Sequence, residues 1–271
     1  MNFIRFLRAP ALIFWTAVAP LAAQWPNTPT PGVPRTADGK PNLAAACPRA
    51  RDGKPDLSGL WLMQPTRRAN PEFPGCEPIA DEFANIGFSL KGGLPYQPWA
   101  AELVKTRRGE QRVHDPMSHC LPIGPVRLHT FTTPSKLVQN PGLLVILNEW
   151  NASYRQLFTD GRPLPADPNP SWNGYSSGKW QGDTLVVETN GLRDGLWLDA
   201  AGNPLTDAAR LTERFRRADF GHMEIEITVN DPKAYTRPWT VTLHHIIQVD
   251  QDLLEFVCNE GEQDARHLSA K

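Results

Sequence analysis

Charged residues that alternate with apolar ones inside strand-like runs are the first candidates for chemistry in this sequence. Arg155 shares a face with Leu157 in Tyr154-Arg-Gln-Leu-Phe158, and Glu149 shares one with Val145 and Leu147. A charge on an inward face needs a partner, because an isolated buried ion is very costly. Glu149, Arg155, Glu213, Arg214 and Glu260 are the set that could meet. Glu149 and Arg155 are the expected catalytic pair: together they could orient a polar ligand, and a carboxylate with a raised pKa could move a proton. The competing reading is an ion-pair network that fixes strand register.

Small and aromatic residues suggest where a ligand would sit. Gly174, Ser176 and Gly178 fall on one face of a strand-like run that ends at Trp180. Small residues facing inward leave room beside an aromatic wall, although a close approach of another segment would need them equally. The connection 160–173 holds four prolines and Trp172, and so stiff a loop could roof a barrel mouth. Tyr154, Trp172, Ser176, Trp180, Glu213, Arg214, Glu260 and His129 are the expected ligand-binding residues, with aromatic faces for stacking.

Other chemistries find less in the chain. The seven histidines show no HExxH spacing, and His244 and His245, adjacent on a strand, must point to opposite faces. His119 and His129 flank the Cys120 segment and could converge, yet neither belongs to a metal motif. Gly174-Tyr-Ser-Ser-Gly178 has Gly-x-Ser-x-Gly spacing, but it lies on a strand-like run without the βαβ architecture that hosts a nucleophile elbow, and no CxxC pattern occurs. The expectation is no metal and no cofactor. Four cysteines remain after the export signal described below: Cys47, Cys76, Cys120 and Cys258. They permit three pairings; the favoured one joins Cys47 to Cys76 across a proline-rich loop and Cys120 to Cys258.

Proline divides the elements that must position these groups. Seventeen of the 27 prolines lie between Gln24 and Pro134, a density that forbids long helices and central strands. One helix is expected there, over Pro98–Arg112, with Pro at its start. Asp38-Gly-Lys-Pro-Asn-Leu43 recurs as Asp52-Gly-Lys-Pro-Asp-Leu57, and both copies read as turns. From Ser135 the pattern becomes strands: 136–139, 143–149, 154–159, 175–180, 184–189, 211–217, 223–229, 239–248 and 253–258. Adding 57–63 makes about ten. Met223, Ile225, Ile227 and Val229 alternate strictly with Glu224, Glu226 and Thr228. Turns at 140–142, 181–183, 219–221 and 250–252 separate successive runs. So many short strands in meander order remove their edges by closing or by packing face to face. Gly59-Leu-Trp61 on the first strand is similar to the Gly-x-Trp with which calycin barrels plug one end.

The expected fold is therefore all-β: a calycin- or lipocalin-like antiparallel meander barrel of about ten strands with a proline-rich amino-terminal arm. The expected divisions are a signal peptide at 1–23, the arm at 24–56, and one barrel domain at 57–271 with an irregular insertion at about 64–134. The chain as a whole resembles a widespread, uncharacterised family of secreted bacterial proteins. The resemblance rests on DGKPDLSGLW, Cys120-Leu-Pro122, Tyr154-Arg-Gln156 with Asp160-Gly-Arg-Pro163, Gly178-Lys-Trp-Gln-Gly-Asp-Thr-Leu-Val-Val187, Thr212-Glu-Arg-Phe-Arg-Arg217, Asp231-Pro-Lys-Ala-Tyr-Thr-Arg-Pro-Trp-Thr240 and Cys258-Asn-Glu260. Family members often carry histidines where this chain has Leu164 and Leu205, which argues against carrying a metal mechanism over by analogy.

Export bounds the function. Arg5 and Arg8, the apolar stretch 11–19 and Ala22-Ala23 form the three parts of a secretory signal. The apolar run is about half the ~20 residues a membrane-spanning helix needs. Losing Arg5 and Arg8 takes the net charge from −1 to −3, and no basic cluster suggests nucleic acid. Arg214, Arg216 and Arg217, the densest basic group, read as a solvated strand face. The expected product is a periplasmic or secreted protein, without a transmembrane segment after cleavage, that binds a small sugar-like or aromatic ligand in its barrel. Two other readings stand beside it: a cofactor-free lyase, isomerase or hydrolase using a carboxylate/Arg pair in the same cavity, and a structural or interaction protein of the cell envelope.

Overall fold

Nine runs of alternating apolar residues become nine strands of one closed barrel. They are β1 (Gly59–Met63), β2 (Ser135–Asn140), β3 (Leu143–Asn148), β4 (Tyr154–Phe158), β5 (Tyr175–Gln181), β6 (Thr184–Asn190), β7 (Arg210–Arg217), β8 (His222–Asn230) and β9 (Trp239–Gln248). The structure is a computed structural model that describes residues 29–68, 79–110 and 113–260, with main chain alone at 67–68 and 79–81. The expected signal at 1–23, the start of the arm at 24–28, Cys76 and the last residues, 261–271, lie outside the described residues.

Neighbours around the ring are β1, β9, β8, β7, β6, β5, β4, β3 and β2, and β2 closes back onto β1. A ring of nine cannot alternate direction all the way round, so one neighbouring pair must run parallel. That pair is β4–β5, with Leu157 opposite Ser176 and Phe158 opposite Ser177. The proline-rich connection 159–174 carries the chain back to begin β5 at the same end as β4. This corrects the expectation of a wholly antiparallel meander. Leu253–Cys258 does not add a tenth strand; Phe256 makes a single isolated bridge, to Trp150.

The inward residues fill the barrel. Leu157, Val187, Phe215, Ile225, Ile227 and Val229 are all fully enclosed and belong to one core. Strand ends near the turns at 140–142, 181–183 and 219–221 define the lower mouth, which the arm crosses. Both copies of the repeat fold alike. Asn42 N–H donates to Pro34 O, and Asp56 N–H to Pro48 O, 14 residues on. Each copy sends its arginine to a rim aspartate. Arg35 donates twice to Asp250, at 2.7 and 2.8 Å, and Arg49 twice to Asp183, at 2.6 and 2.7 Å.

Part of this mouth is plugged. The Trp61 indole donates to Leu57 O at 3.0 Å, and the Arg217 guanidinium lies 4.9 Å from the Trp61 ring and 5.2 Å from that of Phe220. Arg217 is therefore buried rather than part of a solvated face. Period two explains the correction, because it places Arg217 with Leu211, Glu213 and Phe215 on the inward side.

The upper end is closed by the irregular insertion. A helix at Pro98–Gly109 matches the expected start, and a second, unanticipated helix spans Pro125–Thr130. Arg127 in that helix donates to Asp115 at 2.6 and 2.8 Å, both side chains enclosed. A disulfide joins Cys120 to Cys258 and ties the cap to the segment after β9. Cys47 is a free thiol among the described residues, and its expected partner, Cys76, lies outside them. The Cys47 thiol lies 3.5 Å from Pro48 O, inside the link between the two repeats. Among the described residues no helix is long and apolar enough to cross a membrane.

Candidate functional site

Two groups of polar side chains could carry function, one sealed inside the upper barrel and one at the lower mouth. The sealed group is a layer drawn from five strands and the cap. Arg155 comes from β4, Ser176 from β5, Thr189 from β6, Glu213 from β7, His245 from β9, and His129 from the Pro125–Thr130 helix. Arg155 donates to Glu213 Oε1 at 2.8 Å and also bonds Oε2, Ser176 Oγ and Thr189 Oγ1. His129 Nε2 donates to Glu213 Oε1 at 2.9 Å. Burial raises the Glu213 carboxyl, but the charge and bonds of Arg155, then those of His129, more than offset this. They hold the group well below the usual carboxylate range. Burial, with repulsion from His129, lowers His245 to about 3.

This layer is an ion pair with every carboxylate oxygen occupied. Glu149, expected as Arg155's partner, is not in it. It lies one residue beyond β3, where strand alternation no longer dictates its side, and its carboxylate has no ion pair or hydrogen bond among the described residues. The small residues beside Arg155 do not leave empty space at this level. Ser176 Oγ lies 2.9 Å from Thr189 Oγ1 and accepts from Arg155. A Cβ on Gly174 would come 2.5 Å from Asn190 O, and one on Gly178 would press on Val187 and Leu185 at 3.1 and 3.2 Å. Two of the three small residues therefore serve close approach, the competing reading.

Room remains further along the same inward face. At the level of Trp180 a recess of about 480 Å³ opens at the lower mouth. Leu144, Leu185 and Trp180 form its apolar floor, and Asn140 and Thr159 lie on its rim. Its roof is the second repeat, through Ala50, Arg51, Asp52 and Asp56. Gln139 pins that roof in place: its Oε1 accepts Leu57 N–H at 2.8 Å and its Nε2 donates to Pro55 O at 3.1 Å. The Arg49–Asp183 pair fastens the other side.

No family model, curated protein or solved structure matches this chain. The site must be read from its own residues. Trp180 is the one expected ligand-binding residue that lines the recess. Ser176, Glu213 and His129 belong to the sealed layer. Tyr154 is 62% exposed, its carbonyl bonded by Asn173. Trp172 packs against the core with Arg193 stacked 4.2 Å from its ring. Arg214 faces outward, 3.7 Å from Glu226 across the β7–β8 pair. Glu260 is exposed in a turn just past Cys258. None of these four reaches Trp180's recess.

Sequence reasoning missed Arg51, Asp52, Asp56 and Asn140. A signal existed for the first three. The second DGKP turn runs directly into β1, so it had to lie at the mouth where that strand begins. The first repeat gives no such cue.

Proposed function

We propose that this chain is an exported, calycin-like barrel that binds a small organic ligand at its lower mouth. One observation carries the reading: the core is packed, yet the inward face of β5 ends in a half-buried Trp180 beside a recess of about 480 Å³. That volume falls within the roughly 300–1,000 Å³ of ligand sites, and an apolar floor with a few polar groups on its rim is their usual make-up. The Gly-x-Trp plug with Arg217 stacked on it supports the calycin-like part. The Cys120–Cys258 bridge is compatible with export into an oxidising compartment. The resemblance to secreted bacterial proteins supports the same location.

Acid–base chemistry at Arg155 has less support. Its guanidinium is committed to Glu213, Ser176 and Thr189, and Glu149 stands apart from it.

A thermal-shift screen of the chain without residues 1–23, against metabolites, sugars and aromatic acids, tests the proposal. A ligand at 100 times its Kd adds about 2.7 kcal/mol, which raises the midpoint of a domain this size by roughly 5–11 °C. Ala50→Trp, which fills the recess from its roof, should abolish that rise. An equal rise in wild type and Ala50→Trp would move the site elsewhere, and no rise with any compound would end the reading.

A further inference from the structure

We infer that the ligand of the lower mouth is an uncharged saccharide, seated with one ring face on Trp180 and its hydroxyls on the second DGKP turn; this rests on the recess being the binding site. The recess has unlike walls. Its floor is apolar and carries a single aromatic, Trp180, between Leu144 and Leu185. Its roof and rim are polar, with Arg51, Asp52, Asp56 and Asn140. A flat aromatic ligand buries two apolar faces, and here it would leave one against carboxylates. A pyranose ring has one face of C–H groups and a circumference of hydroxyls, which matches one apolar wall opposed by a polar one.

The polar groups also have free valences of both kinds. Asp52 Oδ1 accepts Lys54 N–H at 3.1 Å and Asp56 Oδ1 accepts Ser58 N–H at 2.9 Å, so each carboxylate is fixed by one oxygen and presents the other. The Arg51 guanidinium and the Asn140 amide have no hydrogen-bond partner among the described residues. Hydroxyl groups both donate and accept, so they can use carboxylate, amide and guanidinium alike. Charge decides against the other class considered from sequence. Two carboxylates face one guanidinium, and this net negative rim repels aromatic acids and phosphates while leaving a neutral sugar unaffected. Glu149, Arg155 and Glu213 lie at the other end of the barrel and have no part in it.

Titration of the chain with glucose, cellobiose, N-acetylglucosamine and its disaccharide, followed by tryptophan fluorescence and thermal shift, tests the inference. Benzoate, 4-hydroxybenzoate and inorganic phosphate form the comparison arm. The expected result is saturable binding of at least one saccharide and none of the anions. Asp52→Ala, at an exposed turn position with no role in the core, should weaken it tenfold or more, and Trp180→Phe should remove the fluorescence change. If an aromatic acid saturates at the mouth, with its binding lost in Ala50→Trp, and no saccharide does, the ligand class is overturned while the recess stands. If saccharide binding is indifferent to Asp52→Ala, Trp180→Phe and Ala50→Trp together, the recess itself is overturned.

Discussion

Replacing His245 by Leu should flatten the loss of stability that mild acid causes. His245 Nε2 lies 3.1 Å from His129 O, and because a carbonyl only accepts, Nε2 carries the proton. Nδ1 is left as a buried acceptor without a partner among the described residues. A proton on Nδ1 would place a cation in an enclosed site facing His129, with His244 next along the strand. The nearest carboxylate of the layer, Glu213, is already held by Arg155 and His129. Burial first, then His129, therefore lowers the His245 pKa from 6.5 to about 3. The unfolded chain takes up this proton near pH 6.5 and the folded chain does not, so stability falls as the pH drops from 6.5 towards 3. At pH 5 the solution is about 1.5 units below the unfolded value, which at 1.36 kcal/mol per unit is about 2 kcal/mol. For a domain of this size that is roughly 4–8 °C in Tm. The assay is the Tm of wild type and His245→Leu at pH 7.5 and pH 5.0. All other groups titrate in both proteins, so the difference between their losses isolates His245. Wild type should lose about 4–8 °C more than the variant. Equal losses would refute a neutral, enclosed His245.

Three further perturbations follow from the same structure. Glu213→Gln leaves Arg155 as an uncompensated buried cation and should cost about 3–5 kcal/mol in urea unfolding. The double replacement Glu213→Leu with Arg155→Met should recover most of that loss, since Ser176 and Thr189 keep their mutual bond at 2.9 Å. Converting Cys120 and Cys258 to Ser opens a loop of 138 residues. Chain entropy sets the loss at about 5 kcal/mol, and a measured drop of roughly 2–5 kcal/mol in denaturant is expected. Gly174 and Gly182 separate backbone conformation from crowding, with φ of +63° and +61°, because a Cβ would meet Asn190 O at 2.5 Å at the first and nothing within 4 Å at the second. Gly182→Ala should cost about 1–2 kcal/mol by Tm analysis, and Gly174→Ala about 1–3 kcal/mol more. Equal costs would show that the β5 start is not closely packed.

The strands were legible because period two survives wherever one face is buried. β8 and β9 alternate without a break, and each barrel strand from Ser135 onward begins and ends within one residue of its expected bounds. Direction was not legible, because a strand's own pattern carries no record of which way its neighbour runs. The parallel β4–β5 pair follows only once the strands are counted as nine and the ring is closed. The same limit separates the two candidate sites. Arg155 and Trp180 both face inward, as their alternation with Leu157 and Ser176 indicates. Yet Arg155 lies in a sealed layer and Trp180 at an open mouth. Which layer an inward residue joins depends on the stagger between strands, and stagger is a property of the closed barrel rather than of any segment. Arg155 therefore meets Glu213, 58 residues away and three strands round the ring, instead of Glu149 one hairpin away. The repeat shows the converse. Its turns were readable from Asp, Gly and Pro, but their purpose depended on Arg35 and Arg49 finding Asp250 and Asp183 on the rim. The second copy roofs the recess because it runs directly into β1, so the one part of the site that local sequence could have placed is the part covalently attached to the barrel's first strand.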